Sequence, residues 1–324
     1  MEKILITGAA GFIGSHLVEH MVKNGYDVVA FDRYNPNNHW GWLENSEVVN
    51  DIEVILGDIR DYDSVYKAMV NCEAVLHLAA LIGIPYSYIS PLAYIKTNIE
   101  GTYNVLESAK NLNLSNILIA STSETYGSAQ YVPIDENHPL VGQSPYAASK
   151  IAADNLGLSY YSSFELPVKI FRPFNTYGPR QSARAIIPTI ISQLFQNEKE
   201  VSLGNITPTR DLTFVIDTCC AIEEIYRSKD LFGSIINIGM NKEISMEELF
   251  NKIKTLMNVD AKISIDAIRE RPSKSEVDRL RCDNTKLIKH TTWRPLFNLN
   301  NGLKETINWV QHNIHLIKQN LYNV

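Results

Sequence analysis

The chain of 324 residues is poor in the features that announce metal sites, disulfide frameworks or membrane spans. Its four cysteines, Cys72, Cys219, Cys220 and Cys282, show neither zinc-ligand spacing nor the pattern of a disulfide-stapled domain. They read as buried thiols of a reducing compartment, which points to the cytoplasm. The eight histidines are scattered without an H-x-x-x-H cluster, so no metal site is expected. His77 reads as a packed core residue. Basic residues do not cluster and the net charge is −6, which argues against nucleic acid as a partner. No apolar run reaches membrane-spanning length, so no membrane association is expected. The first apolar stretch reads as a core strand, not a secretory leader. Repeats, low-complexity runs and long linkers are also missing.

What is there begins with a core. Hydrophobic residues make up 45% of the chain, enough for two lobes. Lys3–Thr7 is a short apolar run that predicts a buried strand, and Ser15–Lys23 carries apolar residues at helical spacing. Between them lies Gly8-Ala9-Ala10-Gly11-Phe12-Ile13-Gly14. Strand, glycine turn and helix in that order form a dinucleotide fingerprint, although the spacing is G-x-x-G-x-x-G and not G-x-G-x-x-G. The glycines let backbone N–H groups approach a pyrophosphate at the helix N-terminus. A second strand, Asp27–Phe31, ends at Asp32, where a carboxylate hydrogen-bonds ribose hydroxyls and repels a 2′-phosphate. That favours NAD over NADP, against the pull of the neighbouring Arg33. Glu53–Leu56 predicts a third strand leading to Asp58 and Ile59, and Ala74–Ala80 a fourth, whose small Ala79 and Ala80 would let a cofactor pass.

Strands and helices alternate to about residue 170, with later strands at Ile117–Ala120 and Val168–Phe171. This predicts an α/β fold on a doubly wound parallel sheet. Thr122-Ser123-Glu124 falls just past a strand's C-terminal end, where ligands bind in such sheets. Tyr146 and Lys150 are spaced i,i+4, on one face of a helix that starts at Ser144-Pro145. A tyrosine with a pKa of about 10 needs nearby positive charge to act as a base, which Lys150 and an oxidised nicotinamide could provide. Glu124 adds an acid/base group that plain alcohol oxidation does not need. After Phe171 a turn-rich stretch, Arg172 to Arg180, opens a second lobe. Leu212–Val215 and Ser234–Ile238 read as strands returning to the first, so the expected division is 1–171 with about 212–238 for the cofactor, and 172–211 with 239–324 for the substrate.

Taken together, Gly8/Gly11/Gly14, Asp32, Asp58, the Thr122–Gly127 stretch, Tyr146/Lys150 and Arg172-Pro173-Phe174-Asn175 resemble the extended short-chain dehydrogenase/reductases acting on nucleotide sugars. The likeness spans nearly the whole chain and implies a Rossmann-like NAD-binding domain with a smaller, interleaved C-terminal α/β substrate domain. Two stretches, His39-Trp40-Gly41-Trp42-Leu43 and Pro179–Ala185, resemble the 4,6-dehydratases of NDP-N-acetylglucosamine in legionaminic-acid-type biosynthesis.

The resemblance implies roles. Tyr146 would take the C4 hydroxyl proton while NAD takes the C4 hydride, with Lys150 lowering the phenol pKa and Thr122 holding the oxygen. Glu124 would remove the C5 proton, water would leave C6, and the hydride would return to C6. The acid for the leaving water is Glu124 itself or Ser123 as a relay, since dTDP-glucose dehydratases have Asp where Ser123 stands. Gly8, Gly11, Phe12, Ile13, Gly14, Asp32, Asp58, Ile59, Leu78, Ala79 and Ala80, with Tyr146 and Lys150, would contact the cofactor. Asn175, Arg184, Arg210 and Arg271 would contact the GDP- or UDP-sugar, although Arg210 beside Asp211 also reads as a structural ion pair. A homodimer built on helices around Ala93–Lys110 and Pro145–Ser163 is implied. Competing readings are an NDP-glucuronate decarboxylase, an NDP-sugar 4-epimerase (which needs no Glu124) and a non-catalytic NAD-binding regulator.

Overall fold

The computed structural model describes residues 1–196, 199–269 and 272–316. Apolar runs buried on both faces form the strands β1 (Lys3–Thr7), β2 (Asp27–Arg33), β3 (Ile52–Gly57), β4 (Ala74–His77), β5 (Asn116–Ala120) and β6 (Val168–Pro173). The helices α1 (Phe12–Lys23) and α2 (Tyr62–Met69) connect the early strands. After β4 come α3 (Ile84–Ile89) and α4 (Pro91–Tyr94), then a π-helical turn, Ile95–Glu100, that runs into α5 (Gly101–Asn111). The long helix α6 (Pro145–Phe164) starts as the sequence predicts: the Ser144 hydroxyl accepts from Ala147 N–H and Pro145 fills the first turn.

The second half is built from shorter pieces: β7 (Asn175–Tyr177), α7 (Ile186–Gln196), β8 (Glu200–Leu203), β9 (Thr209–Arg210), β10 (Leu212–Phe214), α8 (Val215–Arg227), β11 (Ile235–Ile238), β12 (Ile244–Ser245), α9 (Met246–Met257), β13 (Lys262–Ile265), α10 (Thr285–His290) and α11 (Leu299–His312). Only β11 joins the main sheet, whose order is β11-β6-β5-β4-β1-β2-β3. All six pairings in it are parallel. The order reverses between β1 and β4, and ligands of such sheets bind in the crevice at that switch point.

Alternation along each strand divides the core. Ile4 and Ile6 of β1 pack with Leu17, Met21 and, from α8, Ile222 and Ile225, whereas Leu5 packs on the opposite face with Val65, Leu106 and Ile170. The result is three layers, helix on sheet on helix. Each fully buried Ile or Leu contributes about 1.5–3 kcal/mol of burial, so the sheet is the rigid part on which a site can be mounted.

Two strand expectations are corrected. The fourth strand stops at His77, because beyond it the backbone turns to side-chain partners. Ala79 N–H donates to the Thr7 hydroxyl at 3.2 Å, and Leu81 N–H and C=O both bond the Asn98 amide. Residues 212–214 form a strand but do not return to the main sheet; they pair in parallel with β7. The buried Asp211 carboxylate anchors that excursion, accepting from Met240, Lys242 and Cys282 N–H.

Candidate active site

At the switch point, Gly8 has φ of +70°, and a Cβ there would stand 2.8 Å from Ala79 N. A Cβ on Gly14 would stand 2.1 Å from the Gly8 carbonyl oxygen. The turn therefore tolerates no side chain at either position. It delivers Gly11 as the N-cap of α1 with no side-chain cap, so the amides of Phe12, Ile13 and Gly14 face the crevice end of the helix. Asp32, at the end of β2, accepts from Ala10 N–H at 2.7 Å and so pins the turn to the neighbouring strand. This open cradle fits the pyrophosphate of a dinucleotide. Leu78 N–H donates to the Thr7 carbonyl, which holds the Leu78–Ala80 loop against the same turn.

Asp58 and Ile59 follow β3. The Asp58 carboxylate is gripped by Arg60 through its backbone N–H and guanidinium, which holds its pKa below the usual carboxylate range. Ile59 is buried, and its carbonyl accepts from the Asn104 amide. His77 links three elements: its Nδ1 meets the Thr7 hydroxyl at 2.8 Å and its Nε2 meets Thr102 at 3.1 Å. It is a core residue, as expected. The tryptophan stretch, unexplained from sequence, folds onto the glycine turn. Trp42 N–H donates to the Ala10 carbonyl, and its ring meets Trp309 of α11 edge-on at 5.3 Å.

The catalytic candidates converge. Thr122 caps the short 3-10 turn Ser123–Tyr126, accepting from Glu124 N–H at 3.2 Å, and its hydroxyl shares a hydrogen bond with the Tyr146 phenol. Tyr146, Lys150, Thr122 and Ser123 are buried, and Glu124 is half-buried. Burial pushes the Tyr146 phenol well above its ordinary pKa; the Thr122 bond pulls it down, and the Glu124 carboxylate lies near enough to push it up again. The edge of Tyr94 packs on the Tyr146 ring, at 6.2 Å between centroids.

Lys150 departs from expectation. Its ammonium donates to the Ala120 carbonyl at 2.6 Å, and the influences on the phenol are burial, Thr122, Glu124, Tyr94 and Asp154. Burial pushes the Lys150 pKa down while the charge of Asp154 raises it. Asp154 went unremarked in the sequence, although its i,i+4 spacing from Lys150 was visible there. It is buried, accepts from Ser121 at 2.8 Å and pairs with the buried Arg172 of β6 at 2.8 Å.

The substrate candidates are more dispersed. Asn175 opens β7, with its N–H on the Asp211 carbonyl and its Oδ1 buried without a hydrogen-bond partner among the described residues. Arg184 is exposed beside Gly83 and Tyr94, which connects it to the tyrosine side of the site. Arg210 is buried and its partner is Glu276, at 3.4 Å, not the adjacent Asp211. Arg271 lies outside the described residues. Among those described, no group of His, Cys, Asp and Glu is placed to hold a metal.

Comparison with known proteins agrees with this geometry. The family described as GDP-mannose 4,6 dehydratase matches residues 5–306. A putative UDP-glucose 4-epimerase of Methanocaldococcus jannaschii is 33% identical over 96% of this chain and 99% of its own. The dTDP-glucose 4,6-dehydratase DesIV of Streptomyces venezuelae, solved with NAD bound, superposes with a TM-score of 0.88 at 27% identity, covering 98% of this chain and 99% of its own. A UDP-glucuronic acid 4-epimerase of Bacillus cereus, in complex with UDP-glucuronic acid and NAD, gives 0.85 at 27% identity, covering 96% and 99%. A glycine cradle at the switch point, a Thr-Ser-Glu turn and a Tyr-x-x-x-Lys helix thus sit in one crevice of a chain matched from end to end, and the chain belongs to the GDP-mannose 4,6-dehydratase family, among the extended short-chain dehydrogenase/reductases that act on nucleotide sugars.

Proposed function

We propose that the protein is an NAD-dependent 4,6-dehydratase of a nucleotide-diphosphate sugar. The observation that carries this reading is the Glu124 carboxylate beside the Tyr146 phenol and Thr122 hydroxyl: two acid/base groups on one substrate. Oxidation alone, or epimerisation at C4, needs only the first.

Gly8, Gly11, Phe12, Ile13, Gly14 and Asp32, with the Leu78–Ala80 loop, hold the cofactor in this reading. The chemistry a bound NAD supplies is temporary storage of one hydride, together with positive charge beside the phenol. That charge matters, because burial otherwise keeps the Tyr146 proton in place. Thr122 holds the C4 oxygen and Tyr146 takes its proton. The resulting 4-ketone acidifies the C5 hydrogen, and Glu124 removes it as general base. The C6 hydroxyl leaves as water on a proton from Glu124 or through Ser123.

The substrate we assign is GDP- or UDP-N-acetylglucosamine, with Asn175, Arg184 and Arg210 on the diphosphate side, in legionaminic-acid-type biosynthesis. The homodimer is supported by exposed apolar residues on the helices named for it, Leu92, Ile95, Tyr103, Tyr161 and Phe164. The four free thiols suit a reducing cytoplasm. A second reading, NDP-glucuronate decarboxylation, draws on Arg184, a cation near the tyrosine side that could meet a C6 carboxylate.

The test is incubation of the NAD-loaded protein with UDP- and GDP-N-acetylglucosamine, read by mass spectrometry and NMR. Loss of one water with a new C6 methyl and no net NADH is the expected result. Unchanged mass with inverted C4 would make it an epimerase, and loss of carbon dioxide from UDP-glucuronate would make it a decarboxylase.

A further inference from the structure

Beneath the Tyr146–Lys150 pair lies a charged group that the reaction as written does not use. Asp154 is one helical turn beyond Lys150 on α6, and both side chains are buried. Two donors of Arg172, Nε at 3.1 Å and Nη2 at 2.8 Å, crowd onto a single oxygen of Asp154, its Oδ2, which also accepts from the Ser121 hydroxyl. Oδ1 of Asp154 and Nη1 of Arg172 are buried without a hydrogen-bond partner among the described residues. A pair built for stability alone favours the fork-to-fork arrangement, one donor on each oxygen. This one leaves a carboxylate oxygen, and its charge, uncommitted.

The neighbours of that charge bear on the chemistry. Ser121 lies between Ala120, whose carbonyl receives the Lys150 ammonium, and Thr122, which bonds the phenol. Asp154 thus ties the end of β5 to α6 at the point where the two halves of the catalytic set meet. Resting on the reading of Tyr146 and Lys150 given above, we propose that Asp154 is a positioning residue, the buried counter-charge that keeps Lys150 an ammonium. Arg172, its guanidinium 4.8 Å over the Tyr126 ring, in turn keeps Asp154 ionised.

The groups facing Lys150 are few. Tyr146 and Asp154 come from its own helix, Arg172 from β6, Glu124 from the turn after β5, and His77 from β4. His77 is held neutral by burial and by the Lys150 charge itself, so it contributes no counter-charge. Asp154 raises the Lys150 pKa against the burial that lowers it. Without it, a buried amine loses its proton at lower pH.

The experiment is 13C NMR of the full-length, NAD-loaded protein carrying 13Cε-labelled lysine, with the Lys150 signal assigned from a Lys150→Arg sample. In Asp154→Asn, the Lys150 titration midpoint is expected to move down by about one pH unit or more. The alkaline limb of turnover should move with it. A Lys150 titration superimposable on that of the unsubstituted protein overturns the proposal, whatever happens to the rate. Should Asp154→Asn fail to fold, Asp154→Leu with Arg172→Met removes both buried charges, a replacement cores often accept, and the same downward movement is expected. A shifted lysine in a protein that turns over no nucleotide sugar would sink the functional reading while leaving this assignment standing.

Discussion

The two sides of the crevice are built in opposite ways. On the phenol side, every group hangs from the end of a long parallel strand or from α6, and each is fixed by a short bond to a neighbouring strand: Asp32 to Ala10, Thr7 to His77, Lys150 to Ala120. On the sugar side, Asn175 and Arg210 sit on ladders of two or three residues, β7 with β10 and β9 with β12, drawn from distant parts of the chain. The difference teaches where the chemistry and the selectivity reside. A group whose pKa must be set needs the rigid sheet. Groups that choose among nucleotides and sugars can sit on small ladders, which change without disturbing the core.

If that division is right, substitutions on the phenol side should strike the rate and those on the sugar side the affinity. The largest effect is expected for Tyr146→Phe and Glu124→Gln, each lowering turnover by about 10²–10⁴-fold. Bound NAD, measured by absorbance after denaturation, should be retained in both. Loss of the nucleotide from either variant would mean that the residue holds the cofactor and would blur the division.

Next in size is a pH effect confined to the phenol side. Burial and the Lys150 charge push the His77 pKa down to about 3, so the unfolded chain takes up a proton that the folded one refuses. Its contribution to stability is whole above the unfolded pKa of about 6.5 and is lost as pH falls toward 3. Between pH 7 and pH 5 that loss is about 2 kcal/mol. Urea midpoints at the two pH values should show a shallower drop for His77→Gln than for the unsubstituted protein; equal drops would refute it.

On the sugar side, Arg210→Gln is expected to raise KM for the nucleotide sugar about tenfold with kcat nearly unchanged. A fall in kcat with KM intact would place Arg210 on the wrong side of the comparison. The smallest effect belongs to Trp42→Ala. Losing the edge-on contact with Trp309 should cost about 1 kcal/mol of stability, read as a shift in melting temperature.

Much of the phenol side could be read in advance because its signals are local. The apolar run of β1, the glycine spacing and the Ser144-Pro145 start of α6 each occupy a few consecutive residues. What escaped depends on neighbours distant in sequence. Leu78–Ala80 is as apolar as a strand, yet Thr7 and Asn98 bend it away from the sheet. Leu212–Phe214 has strand character, but its partner is β7 and not the main sheet. Asp211 adjoins Arg210, yet the ion pair forms with Glu276. The Asp154–Arg172 contact needs β6 beside α6, a fact no short window contains.

One consequence follows from the position of β11. It contributes four residues to the outer edge of the sheet, beside β6, after an excursion of some sixty residues through the other side of the molecule. A fragment ending at residue 171 would therefore expose the whole unpaired flank of β6, whose Val168, Ile170 and Phe171 are fully shielded in the intact chain. The protein should resist being split at that point into two separately expressed halves. Its evolution is constrained likewise: the sugar-binding segments can be re-spelled in place, but they cannot be exchanged as a single cassette without taking an edge of the cofactor sheet with them.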